Sequence, residues 1–439
     1  MNTPVRSSVL FINSIAPEQP QALERLQDRL GRPLRPILLR NLHTEDPSGA
    51  DELHNLIRLE IDFNDVAALA AALEPYANDI LVVTCKDDAS AAYLKHLVPL
   101  LPHLTLPIPE TLEWATEKTK MRSHFHAYDP TISPKFTIAE DATPATIGRI
   151  EQTIGYPLIV KPSGLTSSLL ISVCENRAEF ETALAEIMQN IAPRYGAGRG
   201  RRSEVLVEHF MDDGIYFSMD VYVGTSGQTW FAPPVYGKTG RDIGFEDVFG
   251  YLRATPSQLT LKQIAAAEAA ADTAVKALEL RSCTCHVELM LTTDGWKIIE
   301  LGPRIGGFRH ELYSAAFGVN HALNDLLVRM GEAPLIPTEP RGYSAFLQFY
   351  PHHEGVLKHI DGLTTARRRP SVERLSVFKH PGDTCLFARH GGGHVLEIVL
   401  FNKDRARLRD DIRAIEHAIE IDTEPLTAGQ ERYQTRLTV

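Results

Sequence analysis

Cysteine is scarce in this chain. Five residues in 439 (Cys85, Cys174, Cys283, Cys285 and Cys385) are odd in number and scattered, which excludes a disulfide framework. No charged n-region with an apolar h-region follows Met1, and the two observations together predict a reducing, cytoplasmic setting. No apolar run reaches the roughly 18–20 residues of a membrane span. Positive charge is in deficit, with 45 Lys and Arg against 56 Asp and Glu and a net charge of −11. That excludes a general nucleic-acid binder, which carries a basic face. No G-x-S-x-G elbow occurs, so "HGGGH" (His390–His394) reads as a hairpin turn and not as a hydrolase oxyanion loop. "CTCH" (Cys283–His286) has no second ligand pair for zinc and reads as core cysteines on a strand. Internal repeats and long low-complexity tracts are absent.

What is present alternates between strand and helix. "SSVLFINSI" (Ser7–Ile15) is a buried-strand run, "QPQALERLQDRLG" has helical spacing and a terminal Gly, and "LRPILL" returns as strand. "DILVVTC" (Asp79–Cys85) precedes the helical "ASAAYLKHLVPLL". Such alternation predicts a parallel α/β sheet, bounded by the Pro-rich "LPHLTLPIPE" near residue 110. From there to about 335 the rhythm is mixed. The long helix around Ile264, Ala267, Ala271, Val275 and Leu278 is followed by two strands, "SCTCHVELMLT" and "GWKIIEL". Asp294-Gly295 between those apolar runs is a strong hairpin signal. Beyond about 340, short strands between Gly and Pro predict a β-rich unit with one late helix over Asp404–Ile421. The expected domains are 1–110, 111–335 (with lobes 111–207 and 208–335) and 336–439. The basic tract "RYGAGRGRR" (Arg194–Arg202) reads as a loop.

The chemistry concentrates at strand ends. Glu288 on the first hairpin strand and Glu300 on the second converge if the register allows, and two such carboxylates suit a hard cation such as Mg²⁺. Arg304 follows the turn and suits a phosphoryl or acyl-phosphate oxygen. Gly306 and Gly307 allow close approach of a ligand to the backbone. Lys161 closes the apolar run "YPLIV", and Glu208 sits at the end of "VLV" in the same way. The loop Ser163–Ser168, including Ser167, is a flap candidate, and Lys118 lies on the helix of "EKTKMR". Each has a bland explanation as a solvated strand end or helix face, but the set in this order does not. "APPVYGKT" (Ala232–Thr239) fits a loose P-loop pattern, yet two prolines stand where flexible glycines are needed and no helix follows. Lys238 is retained as a pocket candidate.

From about Trp114 to Leu335 the sequence resembles the ATP-grasp superfamily of carboxylate–amine ligases, nearest in appearance to the L-amino-acid ligases, which make dipeptides. The matching stretches are "EKTKMR", "PLIVKPSG", "VLVEHFMDDGIYFSMDVYV" and "HVELMLTTDGWKIIELGPRIGG". The resemblance implies an α/β protein. An ATP-grasp fold would be preceded by a small Rossmann-like parallel domain and followed by a β-rich C-terminal lid. It also implies that Lys118, Lys161 and the Ser163–Ser167 loop contact ATP phosphates. Glu208, Phe210 and Met211 would form the adenine hinge, with Tyr216 where a ribose-binding Glu is expected. Glu288 and Glu300 would bind Mg²⁺, and Arg304 would stabilise an acyl phosphate. Gly306, Gly307 and Arg309 would lie near small-molecule carboxylate and amine substrates, amino acids by analogy. His286 is a candidate base for the amine, and a homodimer fits the family. Two departures stand out. Gly302 replaces the Asn found two residues after the second metal Glu, which leaves a second Mg²⁺ open, and Tyr216 leaves ribose binding unassigned. The alternatives are a nucleotide-binding sensor without ligase chemistry, or an enzyme of the carboxylase-like or formyl-transfer branch. The chain has no Met-Lys biotinylation site.

Overall fold

The computed structural model describes residues 6–43, 53–165, 168–195 and 204–426. Ser167 and most of the Arg194–Arg202 tract lie outside them. The first strand-helix alternation forms a four-stranded parallel sheet. Its strands Ser8–Ile12, Arg35–Asn41, Ile57–Ile61 and Ile80–Cys85 lie in the spatial order third, second, first, fourth. All five residues of Ser8–Ile12 are buried, as expected of a strand covered on both faces. Leu10 and Ile12 pack among Leu69, Leu73, Ala91 and Leu94 of two flanking helices. Val9 and Phe11 pack on the other side with Leu26, and with Leu326 and Leu327 from a helix much later in the chain. That second contact fixes the N-terminal sheet against the remainder of the protein.

A four-stranded antiparallel sheet follows. It runs Phe136–Ala139, Val205–His209, Leu158–Pro162 and Ser172–Cys174 in spatial order. The helix Pro144–Thr153 covers it, with Thr143 accepting from the Thr146 backbone N–H. The third sheet has nine strands and is the spine of the molecule. Its order is Gly295–Gly302, Cys283–Thr292, Ile215–Val223, Val235–Thr239, Gly250–Thr255, Tyr343–Phe349, Leu396–Asn402 and Val372–Val377, with Thr229–Phe231 beside Ile215–Val223. Three C-terminal strands therefore extend this sheet, and only Gly355–Asp361, Thr384–Cys385 and Glu420–Glu424 form a separate small one. The late helix is Arg405–Ala418, capped by Asp404. It ends before the expected Ile421 because Glu420–Glu424 pairs as a strand with Gly355–Asp361. His390–His394 is not a hairpin turn: it connects the small sheet to Leu396–Asn402 of the large one.

Alternation divides the large sheet into two chemical faces. Phe217, Met219, Val221, Val287, Leu289 and Ile298 point to one face, where Ala267, Ala271, Ala274 and Val275 of the helix Leu261–Ala277 cover them. Thr260 and Gln263 close a capping box at the start of that helix. The intervening residues Ser218, Asp220, His286, Glu288 and Glu300 share the opposite face. Among the described residues no helix is long and apolar enough to cross a membrane.

Candidate active site

The hairpin around Asp294-Gly295 places Glu288 directly opposite Glu300 in antiparallel register. An irregularity next to this pair, between Glu288 and Leu289, leaves Ile299 out of the ladder and keeps both carboxylates on the polar face. Each side chain remains about one-third exposed, at 31% and 35%. Burial raises the Glu288 pKa, but the hydrogen bond and charge of His286 and the Tyr216 hydroxyl outweigh it, bringing the group down to about 2. Glu288 is therefore an anion at neutral pH. Tyr216 donates to Glu288 Oε1 at 2.9 Å, and His286 Nε2 lies 3.7 Å from the same oxygen. Tyr216, at the position where a ribose-binding Glu was expected, orients the Glu288 carboxylate.

Two carboxylates aligned across a strand pair fit a hard divalent cation. Among the described residues no group of three His, Cys, Asp or Glu side chains is arranged to hold a metal. The pair suits an ion such as Mg²⁺ that keeps water and substrate oxygens as its other ligands.

Lysines approach from the small antiparallel lobe. Lys118, at the first turn of the helix Lys118–Tyr128, lies 3.0 Å from Glu300 Oε1 and donates to the Leu165 carbonyl at 2.6 Å. Ser163 accepts from Thr119 N–H at 3.4 Å and donates to Glu117 Oε2 at 3.2 Å, which ties the loop to the start of that helix. Lys161 donates to Glu208 Oε2 at 2.5 Å, and Arg122 Nε donates to Glu208 Oε1 at 2.5 Å. Burial alone raises the Glu208 pKa, but these two cations hold it below the usual carboxylate range. The Glu208 side chain is 2% exposed. It is a buried counter-ion to both cations. Phe210 N–H donates to the Pro157 carbonyl at 3.0 Å, and its ring lies under the Arg241 guanidinium at 5.2 Å. Met211 closes the next turn by accepting from Gly214 N–H.

Arg122 does more than balance Glu208. Its Nη1 and Nη2 donate to the Ile298 and Ile299 carbonyls at 2.7 and 2.8 Å. Those carbonyls belong to an edge strand of the large sheet and would otherwise lack partners. Glu208 pairs within the small antiparallel sheet, so the boundary expected between 207 and 208 falls inside the strand Val205–His209. One guanidinium joins that sheet to the strand that carries Glu300.

Asp220 organises the polar network beside Glu288 and the Gly306-Gly307 pair. It accepts from the Gly306 N–H at 3.1 Å, contacts His286 Nδ1 at 3.0 Å and lies 3.6 Å from His321 Nε2. Burial raises its pKa, and His321 and His286 more than reverse this, holding it well below the usual carboxylate range. Arg309, 1% exposed, donates to Ser218 Oγ at 2.6 Å and to the Gly307 carbonyl at 3.1 Å. Among the described residues Arg309 itself enters no salt bridge, and the ion pair at the start of its helix is Glu311 with Arg374 at 3.1 Å. Arg304 Nε and Nη2 donate to Asp88 Oδ2 of the N-terminal domain at 3.3 and 3.1 Å.

Lys238 is the expected residue that the fold does not bring to this face. Gly237 faces the Tyr216 ring, so alternation along Val235–Thr239 turns Lys238 to the other side. Three groups escaped sequence reasoning: Asp220, Arg122 and a polar row from the C-terminal strands. In that row Arg253 donates to Gln348 at 3.0 Å, Gln348 contacts His394 at 2.8 Å, and Arg374 pairs with Glu397 at 2.5 Å. A lone carboxylate inside the apolar strand "IYFSMDVYV" was a readable signal for Asp220.

The sequence profile described as "ATP-grasp domain" matches residues 154–311, and "L-amino acid ligase C-terminal domain 2" matches residues 347–424. The chain thus contains an ATP-grasp domain followed by an L-amino acid ligase C-terminal domain. Uncharacterized protein y4rH of Sinorhizobium fredii is 25% identical over 335 residues, covering 74% of this chain and 66% of that protein. The D-alanine--D-alanine ligase of Geobacillus thermodenitrificans is 27% identical over 173 residues, 37% of this chain and 42% of the ligase. The chain thus spans less than two thirds of the length of these relatives. The crystal structure of an L-amino acid ligase from Bacillus licheniformis superposes with a TM-score of 0.75 at 20% identity, covering 96% of this ATP-grasp chain and 100% of the other. The N-terminal parallel sheet, the ATP-grasp lobes and the β-rich C-terminal region are common to this fold.

Proposed function

We propose that this ATP-grasp protein activates a carboxylate, an amino acid by analogy with its relatives, as an acyl phosphate and joins it to an amine, releasing ADP and phosphate. The register pairing of Glu288 with Glu300 beneath Lys118 carries the reading. Lys118 and Lys161 would meet the ATP phosphates from the small lobe, with the Ser163 loop folded over them. Phosphoryl transfer needs mainly alignment and charge neutralisation. Bound Mg²⁺ would supply charge neutralisation at the Glu288–Glu300 pair. Tyr216 and His286 would keep Glu288 ionised and oriented, while Arg122 would hold the Glu300 strand in register with Lys161.

Arg304 would face the acyl phosphate, and Gly306 and Gly307 would let substrate approach the main chain. Asp220 holds His286 Nδ1, which leaves Nε2 toward the carboxylates. In that tautomer Nε2 can take a proton from the substrate ammonium, so that the free amine attacks the acyl carbon and phosphate leaves, the role we assign to it. The acyl phosphate must be kept from water. The C-terminal strands, which continue the central sheet beside the site, would wall it off together with the Ser163 loop, in a cytoplasmic enzyme.

The test is incubation with Mg·ATP, hydroxylamine and pooled amino acids, read by mass spectrometry for ADP and hydroxamates. A hydroxamate names the carboxylate. ATP binding without ADP or hydroxamate across the pools would overturn the reading.

A further inference from the structure

Residue 302 lies two positions after Glu300, pairs in register with His286 and shares the face of the two carboxylates. It is glycine, which weakens a strand and marks close approach of another group. The group here comes from the N-terminal domain. A Cβ built on Gly302 would lie 2.5 Å from Asp88 Oδ1, closer than non-bonded atoms approach. Asp88 opens the helix Asp88–Leu97, whose first turn is fixed by Asp87 accepting from Ser90 N–H at 2.8 Å. Its Oδ2 receives Arg304 Nε and Nη2, and its Oδ1 is buried without a hydrogen-bond partner. The two side chains are 17% and 22% exposed.

We propose that Asp88 is a positioning residue for Arg304, and that Gly302 is the gap through which the N-terminal domain reaches the site. This rests on the ligase reading above. A long arginine side chain beyond Pro303 has many rotamers, and two N–H bonds to one carboxylate oxygen select one of them. Of the five N–H donors of a guanidinium, three are used by Asp88 and the Ile305 carbonyl, which leaves two for a substrate oxygen. The N-terminal domain thus completes the catalytic surface, and a side chain at 302 would evict the carboxylate that aims the arginine.

The experiment is a cycle of Asp88→Ala, Arg304→Ala and the double variant, with Asp88→Asn as a shape-preserving control. Hydroxamate formation is measured alongside phenylglyoxal labelling of Arg304 by mass spectrometry. Asp88→Ala should lower kcat about tenfold or more, the scale of loss from a misplaced catalytic group, with the KM for ATP little changed. In the Arg304→Ala background the same change should cost nothing further, because both act through one group. Labelling of Arg304 should accelerate in Asp88→Ala and least in Asp88→Asn. Additive losses in kcat, or an unchanged labelling rate, would overturn the proposal. A wild-type protein that forms no hydroxamate overturns the ligase reading instead, and the labelling then still decides whether Asp88 holds Arg304.

Discussion

Glu288 and Glu300, twelve positions apart in the chain, face each other directly across an antiparallel strand pair. Two anions so placed repel each other, and the fold compensates only in part: Lys118 reaches Glu300 while Tyr216 and His286 reach Glu288. The remaining charge is what a divalent cation would neutralise. Glu300→Ala should therefore abolish ATP turnover, with a loss of order 10²–10³ in kcat typical of removing one preorganised electrostatic group. Coupled detection of ADP in the presence of amino acids checks this, together with Mn²⁺ binding followed by electron paramagnetic resonance. Turnover that survives the substitution would remove the metal role from this pair.

Glu208 is buried between Lys161 and Arg122. Removing its charge strands two cations in a site that excludes water, and breaking a buried pair in this way costs about 3–5 kcal/mol. Glu208→Ala should lower stability by that order in urea unfolding. It should also raise the KM for ATP, since Lys161 loses the partner that holds it. A variant as stable as the parent would mean that water or a neighbouring acid takes over the carboxylate's place.

The sequence made the strand ends legible and the connections between domains illegible. Glu288, Glu300, Lys161 and Glu208 could be singled out because a charged residue closing an apolar run breaks the pattern around it. The Asp294-Gly295 signal predicted the hairpin but left its register open, and the pairing of Glu288 with Glu300 depends on an irregularity between Glu288 and Leu289. Lys238 looked similar, but alternation from Gly237 turns it to the other face, and a motif match carries no register. Arg122 gave no sign of its role, because its partners are backbone carbonyls 176 and 177 residues away. Asp88 was hidden for the same reason, since its partner Arg304 is 216 residues distant. The C-terminal strands were read correctly as strands. That they extend the central sheet depends on edge pairing, which local composition does not encode.

His310, beside the glycine pair, has its pKa pulled by burial from 6.5 down to about 4. The unfolded chain therefore binds more protons than the folded one between those values, so stability rises with pH across that window and falls as the pH drops from about 6.5 to about 4. Below about 4 this contribution is gone. His310→Gln should flatten that part of the curve of Tm against pH, while leaving any loss at lower pH to the depressed carboxylates Glu288 and Asp220. Scanning calorimetry at closely spaced pH values measures it. Parallel curves for the two proteins would assign the slope to other groups.

The two adjacent glycines should behave differently, although the sequence presents them as a pair. A Cβ on Gly306 would lie 2.5 Å from His286 Nδ1, 2.7 Å from Arg309 Cγ and 2.8 Å from Asp220 Oδ1. Each of those groups is fixed by other bonds: His286 by Asp220, Arg309 by Ser218, and Asp220 by the Gly306 N–H itself. None can yield without dismantling the others, so Gly306→Ala should cost kcat severely. Gly307 meets nothing within 4 Å. Its methyl group would project into the space assigned to substrate, and Gly307→Ala should leave the fold and ATP affinity intact while raising the KM of the carboxylate or amine. Steady-state kinetics on both variants, with Tm as the control for folding, separate the cases. Equal effects at 306 and 307 would mean that the Asp220 network does not set the geometry of the site.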